Sequence, residues 1–82
     1  MINMTNKTMV AKALNEYGAM TSKQIANILY RREGVSLTPA QVAGALRPLA
    51  AKGIAANSKD AYGKSVYWMT DYGKTQLQEG KI

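Results

Sequence analysis

The sequence predicts a small α+β domain: a three-helix core, a two- to three-stranded antiparallel layer built on a hairpin, and a short C-terminal helix. Two observations carry that prediction. Thr21-Ser22-Lys23-Gln24 and Thr38-Pro39-Ala40-Gln41 are both Thr-x-x-Gln capping boxes, and each opens an apolar run at helical spacing. After Gly53 the periodicity changes to two, as expected of strands rather than helices.

In the first helix, Met9, Val10, Ala13, Leu14 and Tyr17 recur at offsets of one, three and four, marking one face. Thr5 or Asn6 can cap its start, and Gly18 stands where a left-handed stop is expected. Ala19 and Met20 form a short extended stretch. The second helix follows Thr21, with Ile25, Ala26, Ile28, Leu29 and the stem of Arg32 on its inner face, and ends near Glu33-Gly34. The third follows Thr38 with proline at its first position, where a missing N–H costs nothing. Val42, Ala45, Leu46 and Leu49 form its apolar stripe, and Lys52-Gly53 closes it. Pro48 lies inside that run and must either kink the helix or end it. A kink is the preferred reading, because Gly44 has no side chain to crowd the bend.

From Ile54 to Lys59 alternate residues change face, Asp60 to Lys64 has turn chemistry, and Ser65 to Met69 is a β-branched and aromatic strand. Tyr67 and Trp68 point to opposite faces, with Trp68 the one expected to be structural. Thr70-Asp71 then caps a last helix containing Tyr72, Lys74 and Leu77.

Composition bounds the function. Eighty-two residues predict a single domain, 1–82, with an ordered core of about 6–78 and loose termini. No cysteine is present, so no disulfide or thiolate metal site supplements the core, and a reducing cytoplasm is the expected compartment. The apolar runs are too short to span a bilayer, and polar residues interrupt any N-terminal signal core. The eleven Lys and Arg against five Asp and Glu give +6, which favours a polyanionic partner. From Tyr17 to Lys59 the bases are Lys23, Arg31, Arg32, Arg47, Lys52 and Lys59, against the single acid Glu33.

The order of elements, together with three phrases, resembles the winged helix-turn-helix DNA-binding proteins of bacteria and their phages, such as MarR-type and PapI-type regulators. The phrases are Met20 to Ala26, Leu37 to Val42 continuing through Leu46 to Ile54, and Val66 to Gly73. The resemblance covers roughly residues 8–77. It implies that helix 39–52 enters the major groove of double-stranded DNA while the wing, 57–66, meets the backbone or an adjacent groove. It also implies a small transcriptional regulator or accessory factor.

The residues themselves suggest where contacts would lie. With Val42, Leu46 and Leu49 inward, the third helix presents Ala40, Gln41, Ala43, Gly44 and Arg47 outward. Arg47 can fork onto guanine or grip a phosphate, and Gln41 can either pair with adenine or serve its capping box. Ala40, Ala43 and Gly44 permit close approach to a groove floor but offer few hydrogen-bonding groups, so modest specificity is expected. Ser22 and Lys23 at the second helix, and Thr38 at the third, stand at N-termini that attract phosphate. Lys59 and Lys64 flank the wing tip, where Tyr62 either meets a partner or folds back on the hairpin. Arg31 and Arg32 fall outside this set and read as solvated or as a partner site.

Catalysis is not expected. There is no histidine or cysteine, and the carboxylates are dispersed, so no catalytic residue, metal site or cofactor can be nominated. The alternative function is a winged-helix module docking on a transcription or replication protein. An anionic lipid partner is disfavoured, because no helix is both strongly basic and strongly apolar. A monomer or a weak homodimer is expected, since the long flanking helices by which MarR-type regulators dimerise are missing.

Overall fold

The computed structural model describes residues 6–82; the Thr5 alternative for the first cap lies outside them. The chain runs α1 (Asn6–Tyr17), β1 (Met20–Thr21), α2 (Ser22–Glu33), α3 (Pro39–Ala51), β2 (Ala55–Lys59), β3 (Ser65–Met69) and α4 (Asp71–Gln78). The three strands form one antiparallel sheet in the order β1-β3-β2. Met20 pairs with Tyr67 on one side of β3, while Ala55 pairs with Met69 and Lys59 with Ser65 on the other.

Both capping boxes close in full. The Thr21 N–H donates to Gln24 Oε1 at 2.9 Å and the Gln24 N–H returns to Thr21 Oγ1 at 3.2 Å. The Thr38–Gln41 pair repeats this at 2.9 and 3.1 Å. Each box satisfies amides that a helix start otherwise leaves without partners. At the other end of α3, Gly53 takes φ +75°, a conformation that a side chain would strain. The reversal lets the Ile54 N–H reach Leu49 O at 2.9 Å and turns Ile54 into the core.

α3 is continuous through Pro48, so the helix does not end and restart there. Pro48 gives Gly44 O no helical donor, but Gly44 is exposed and water can serve that carbonyl.

The core joins one face of each of the first three helices to the base of the sheet. Leu14, Ile25, Leu46, Leu49, Val10 and Val42 are its largest fully buried side chains. Each contributes about 1.5–3 kcal/mol through burial. Among the described residues no polar or charged residue is buried.

Two expectations about aromatics are corrected. Tyr67, rather than Trp68, packs against the core cluster, and Trp68 is only half-buried. Tyr17 is 39% exposed, with the Arg32 guanidinium 5.8 Å from its ring centre, while Ala11 is fully buried. The inward stripe of α1 is therefore rotated toward Ala11 and away from Tyr17.

The start of α4 locks the base of the wing to the end of α3. Thr70 Oγ1 donates toward Gly53 O at 2.6 Å and Ile54 O at 2.9 Å, and accepts from the Gly73 N–H at 2.9 Å. The Thr70 N–H donates to Ile54 O at 3.0 Å. Gly73 is buried against the same carbonyl. A Cβ there would fall on the Ile54 oxygen and lie 2.9 Å from Met69 Sδ.

Gly73→Ala is therefore expected to destabilise the fold by about 1–3 kcal/mol, the usual cost of overpacking. Gly44→Ala, whose methyl would meet nothing within 4 Å, is expected to add about 0.5–1 kcal/mol through helix propensity. Urea unfolding of the two variants measures both, and equal midpoints would contradict the close approach at Gly73.

Candidate nucleic-acid interface

On α3 the buried residues are Val42, Ala45, Leu46 and Leu49. Helical phase therefore turns Ala40, Gly44 and Arg47 to the opposite side, and all three are exposed. Ala43, on the flank, is half-buried. The exposed stripe is almost bare, with Arg47 its one long side chain.

Gln41 is exposed, but its Oε1 accepts the Thr38 N–H. The side-chain amide is thus used first as a cap, and its Nε2 remains as a donor. A bidentate adenine contact needs the oxygen as well. Thr38 Oγ1 is likewise occupied by the Gln41 N–H.

Neither α2 nor α3 carries an acidic residue in its first turn. Both boxes use neutral glutamine where glutamate could also serve. The N-terminal ends of the two helices keep their partial positive charge, and exposed Lys23 adds a full one at α2. Ser22 is half-buried beside it.

The wing projects from the sheet through β2 and β3. At its tip Asp60 Oδ1 accepts the N–H groups of Tyr62 and Lys64, each at 2.9 Å. The Asp60 N–H donates to Lys64 O at 2.9 Å and the Gly63 N–H to Asp60 O at 3.0 Å. One carboxylate oxygen is thereby spent on the loop backbone, while Asp60 itself stays exposed. Lys59 and Lys64 are exposed on either side. Tyr62 does not fold back on the hairpin: it is 88% exposed, held on a fixed turn.

Most of the predicted positions are thus exposed: Ala40, Gln41, Gly44 and Arg47 on α3, Lys23 and Thr38 at the capped helix starts, and Lys59, Tyr62 and Lys64 on the wing. Arg31 and Arg32 stand apart at the end of α2. Sequence reading missed the organising role of Asp60, although an Asp opening a Gly-containing turn is the signal for it. Asn57 and Ser58, within the predicted wing, are exposed on β2 next to Lys59. Among the described residues, no group of three or more metal-ligating side chains is assembled, and no helix is long and apolar enough to cross a membrane.

Asp60→Ala is expected to loosen the wing alone. Amide exchange at Tyr62 and Lys64 should accelerate while α1–α3 protection stays unchanged, and Asp60→Asn, which keeps an acceptor oxygen, should largely restore it. Uniform acceleration across the chain would instead make Asp60 a global stabiliser.

No protein-family model matches the sequence, and no curated protein is significantly similar to it. Solved structures are similar in fold. Bacillus subtilis PadR, in complex with operator DNA, superposes with a TM-score of 0.79 at 23% identity, over 93% of this chain and 46% of that one. The chain thus spans less than half the length of PadR. H. salinarum RosR gives 0.80 at 18% identity, over 95% and 70% of the two chains. The winged-helix DNA-binding protein of STIV gives 0.82 at 16% identity, over 99% and 88%. At these identities the likeness is one of architecture, and the architecture is a winged helix-turn-helix.

Proposed function

We propose that the chain binds double-stranded DNA, with helix 39–52 in the major groove and wing 57–66 on the backbone or an adjacent groove. In this reading it acts as a small transcriptional regulator or accessory factor. The observation that carries the proposal is the bare exposed stripe of α3 within a winged-helix fold that also exposes lysines at the start of α2 and on the wing. A stripe of Ala40, Gly44 and Arg47 can lie close to a groove floor, where one arginine reaches a base edge. Lys23, Lys59, Lys64 and the two uncharged capping boxes would hold phosphates on either side. PadR, which shares the fold, was solved in complex with operator DNA, and that supports duplex DNA as the partner.

Few base-reading groups and many phosphate-binding ones make affinity firmer than sequence discrimination. Binding to labelled duplex should weaken with salt with a log–log slope of about −0.9 per phosphate neutralised. Arg47→Ala should cost about 1–3 kcal/mol if the guanidinium reads a base. Absence of salt-sensitive binding at micromolar protein would overturn the proposal in favour of protein docking, and an unchanged Arg47→Ala affinity would remove that residue from the interface.

The capping boxes allow a sharper test. Gln24→Glu with Gln41→Glu keeps both boxes and adds favourable charge at the helix starts, so thermal stability should hold or rise. The same carboxylates would face the phosphates, so duplex affinity should fall several-fold. Unchanged affinity would exclude the helix N-termini as phosphate sites.

A further inference from the structure

A second basic surface lies away from the proposed DNA interface. Lys7 from α1, Lys52 at the end of α3 and Lys81 beyond α4 converge on an open groove floored by Leu49 and Ile54 and walled by Tyr72. Lys7 is half-buried, whereas Lys52 and Lys81 are exposed, and Tyr72 is 56% exposed. Among the described residues that line it, none is acidic. The Glu79 carboxylate does reach Lys81 Nζ at 3.1 Å, but both side chains are about half exposed or more. Such a pair is worth only about 0–1 kcal/mol and exchanges readily for another carboxylate.

The groove does not belong to the DNA-facing surface. Leu49 lies on the buried side of α3, opposite Arg47, and neither the stripe 40/44/47 nor the wing tip contributes a lining residue.

We infer that this groove is the docking site for an acidic segment of a partner protein, anchored by an apolar side chain. Lys7 and Lys52, together with Lys81 once it exchanges its exposed Glu79 partner, complement a run of Asp and Glu. The exposed Tyr72 ring offers an apolar seat beside them, with Leu49 and Ile54 buried beneath, the arrangement of anchor and charged rim by which interfaces are built. A second copy of this chain is a poor occupant, because it brings another +6 and the same lysines. A small organic anion is also a poor one: an open groove cannot enclose most of such a ligand's surface. The inference does not depend on the DNA proposal: the surfaces meet only in α3, whose inner side and C-terminal end line the groove and whose outer stripe 40/44/47 faces away from it.

The test uses the whole chain, isotopically labelled, titrated with a peptide of Asp and Glu carrying a leucine or phenylalanine at every third or fourth position. Amide shifts are expected at Lys7, Lys52, Tyr72, Gln76 and Lys81, with little change at Ala40, Gly44 or Tyr62. Replacing the peptide's apolar residues by serine should weaken binding. Lys7→Gln with Lys81→Gln should weaken it about fivefold, as two exposed ion pairs would. Tyr72→Ala provides a second variant should the double one unfold. Duplex affinity, measured in parallel, should be far less affected, so that failure of one surface is distinguishable from failure of the other. Peptide shifts confined to α3's outer stripe and the wing, groove shifts that track protein concentration alone, or undiminished peptide binding by the lysine variant would each overturn the inference.

Discussion

The carbonyls of Gly53 and Ile54 are the point on which the rest of the molecule depends. Thr70 holds both through one hydroxyl and its own amide, and Gly73 presses its bare Cα against the second. Those contacts join the end of α3, the base of the hairpin and the start of α4, which are otherwise separate elements. Because β3 is also the central strand, paired with β1 beside α2, the junction fixes the hairpin relative to the whole helical core. In the proposed DNA complex, a helix and a wing that meet one rigid duplex need such a common anchor: a small rotation between them would misplace one or the other.

The division of charge follows from the same economy. A chain this small has no room to bury a polar group at a profit, and none is buried among the described residues. All the lysines and arginines are thus surface features, and what distinguishes them is grouping. One set surrounds the bare stripe of α3 and the wing tip; another rims the groove between α1, α3 and α4; Arg31 and Arg32 end α2. Asp60, between the wing lysines, spends one carboxylate oxygen on loop amides. This grouping says more about partners than the net charge does.

What could be read from the sequence was what is decided within a few residues. Both Thr-x-x-Gln boxes, the Gly53 reversal, the hairpin and the Thr70 cap are each local, and each formed. The outward stripe of α3 was legible too, since helical phase alone determines it once Val42 and Leu46 are known to be inside. The partners of Thr70 and the tight seat of Gly73 were not legible, because they depend on residues 16 or more positions away brought together by folding. The same holds for the choice between Tyr67 and Trp68: alternation places them on opposite faces, but only the packed helices decide which face is inside. Tyr17 was misread because a helix's apolar stripe can lean toward alanine when the neighbouring helix comes close. At the candidate site, helical phase identified which side chains are exposed but not that Gln41 spends its oxygen on a cap.

The bareness of the exposed α3 stripe has a consequence for how such a protein can change. Gly44 has open space around it, and neither it nor Ala40 contributes to the core. Side chains written there alter what the surface meets without disturbing what holds the domain together. Substitutions at these positions can be sampled one at a time, in evolution or by engineering, with recognition varying while foldability is conserved. The domain is in that sense a stable blank, on which new binding preferences can be inscribed at little structural cost.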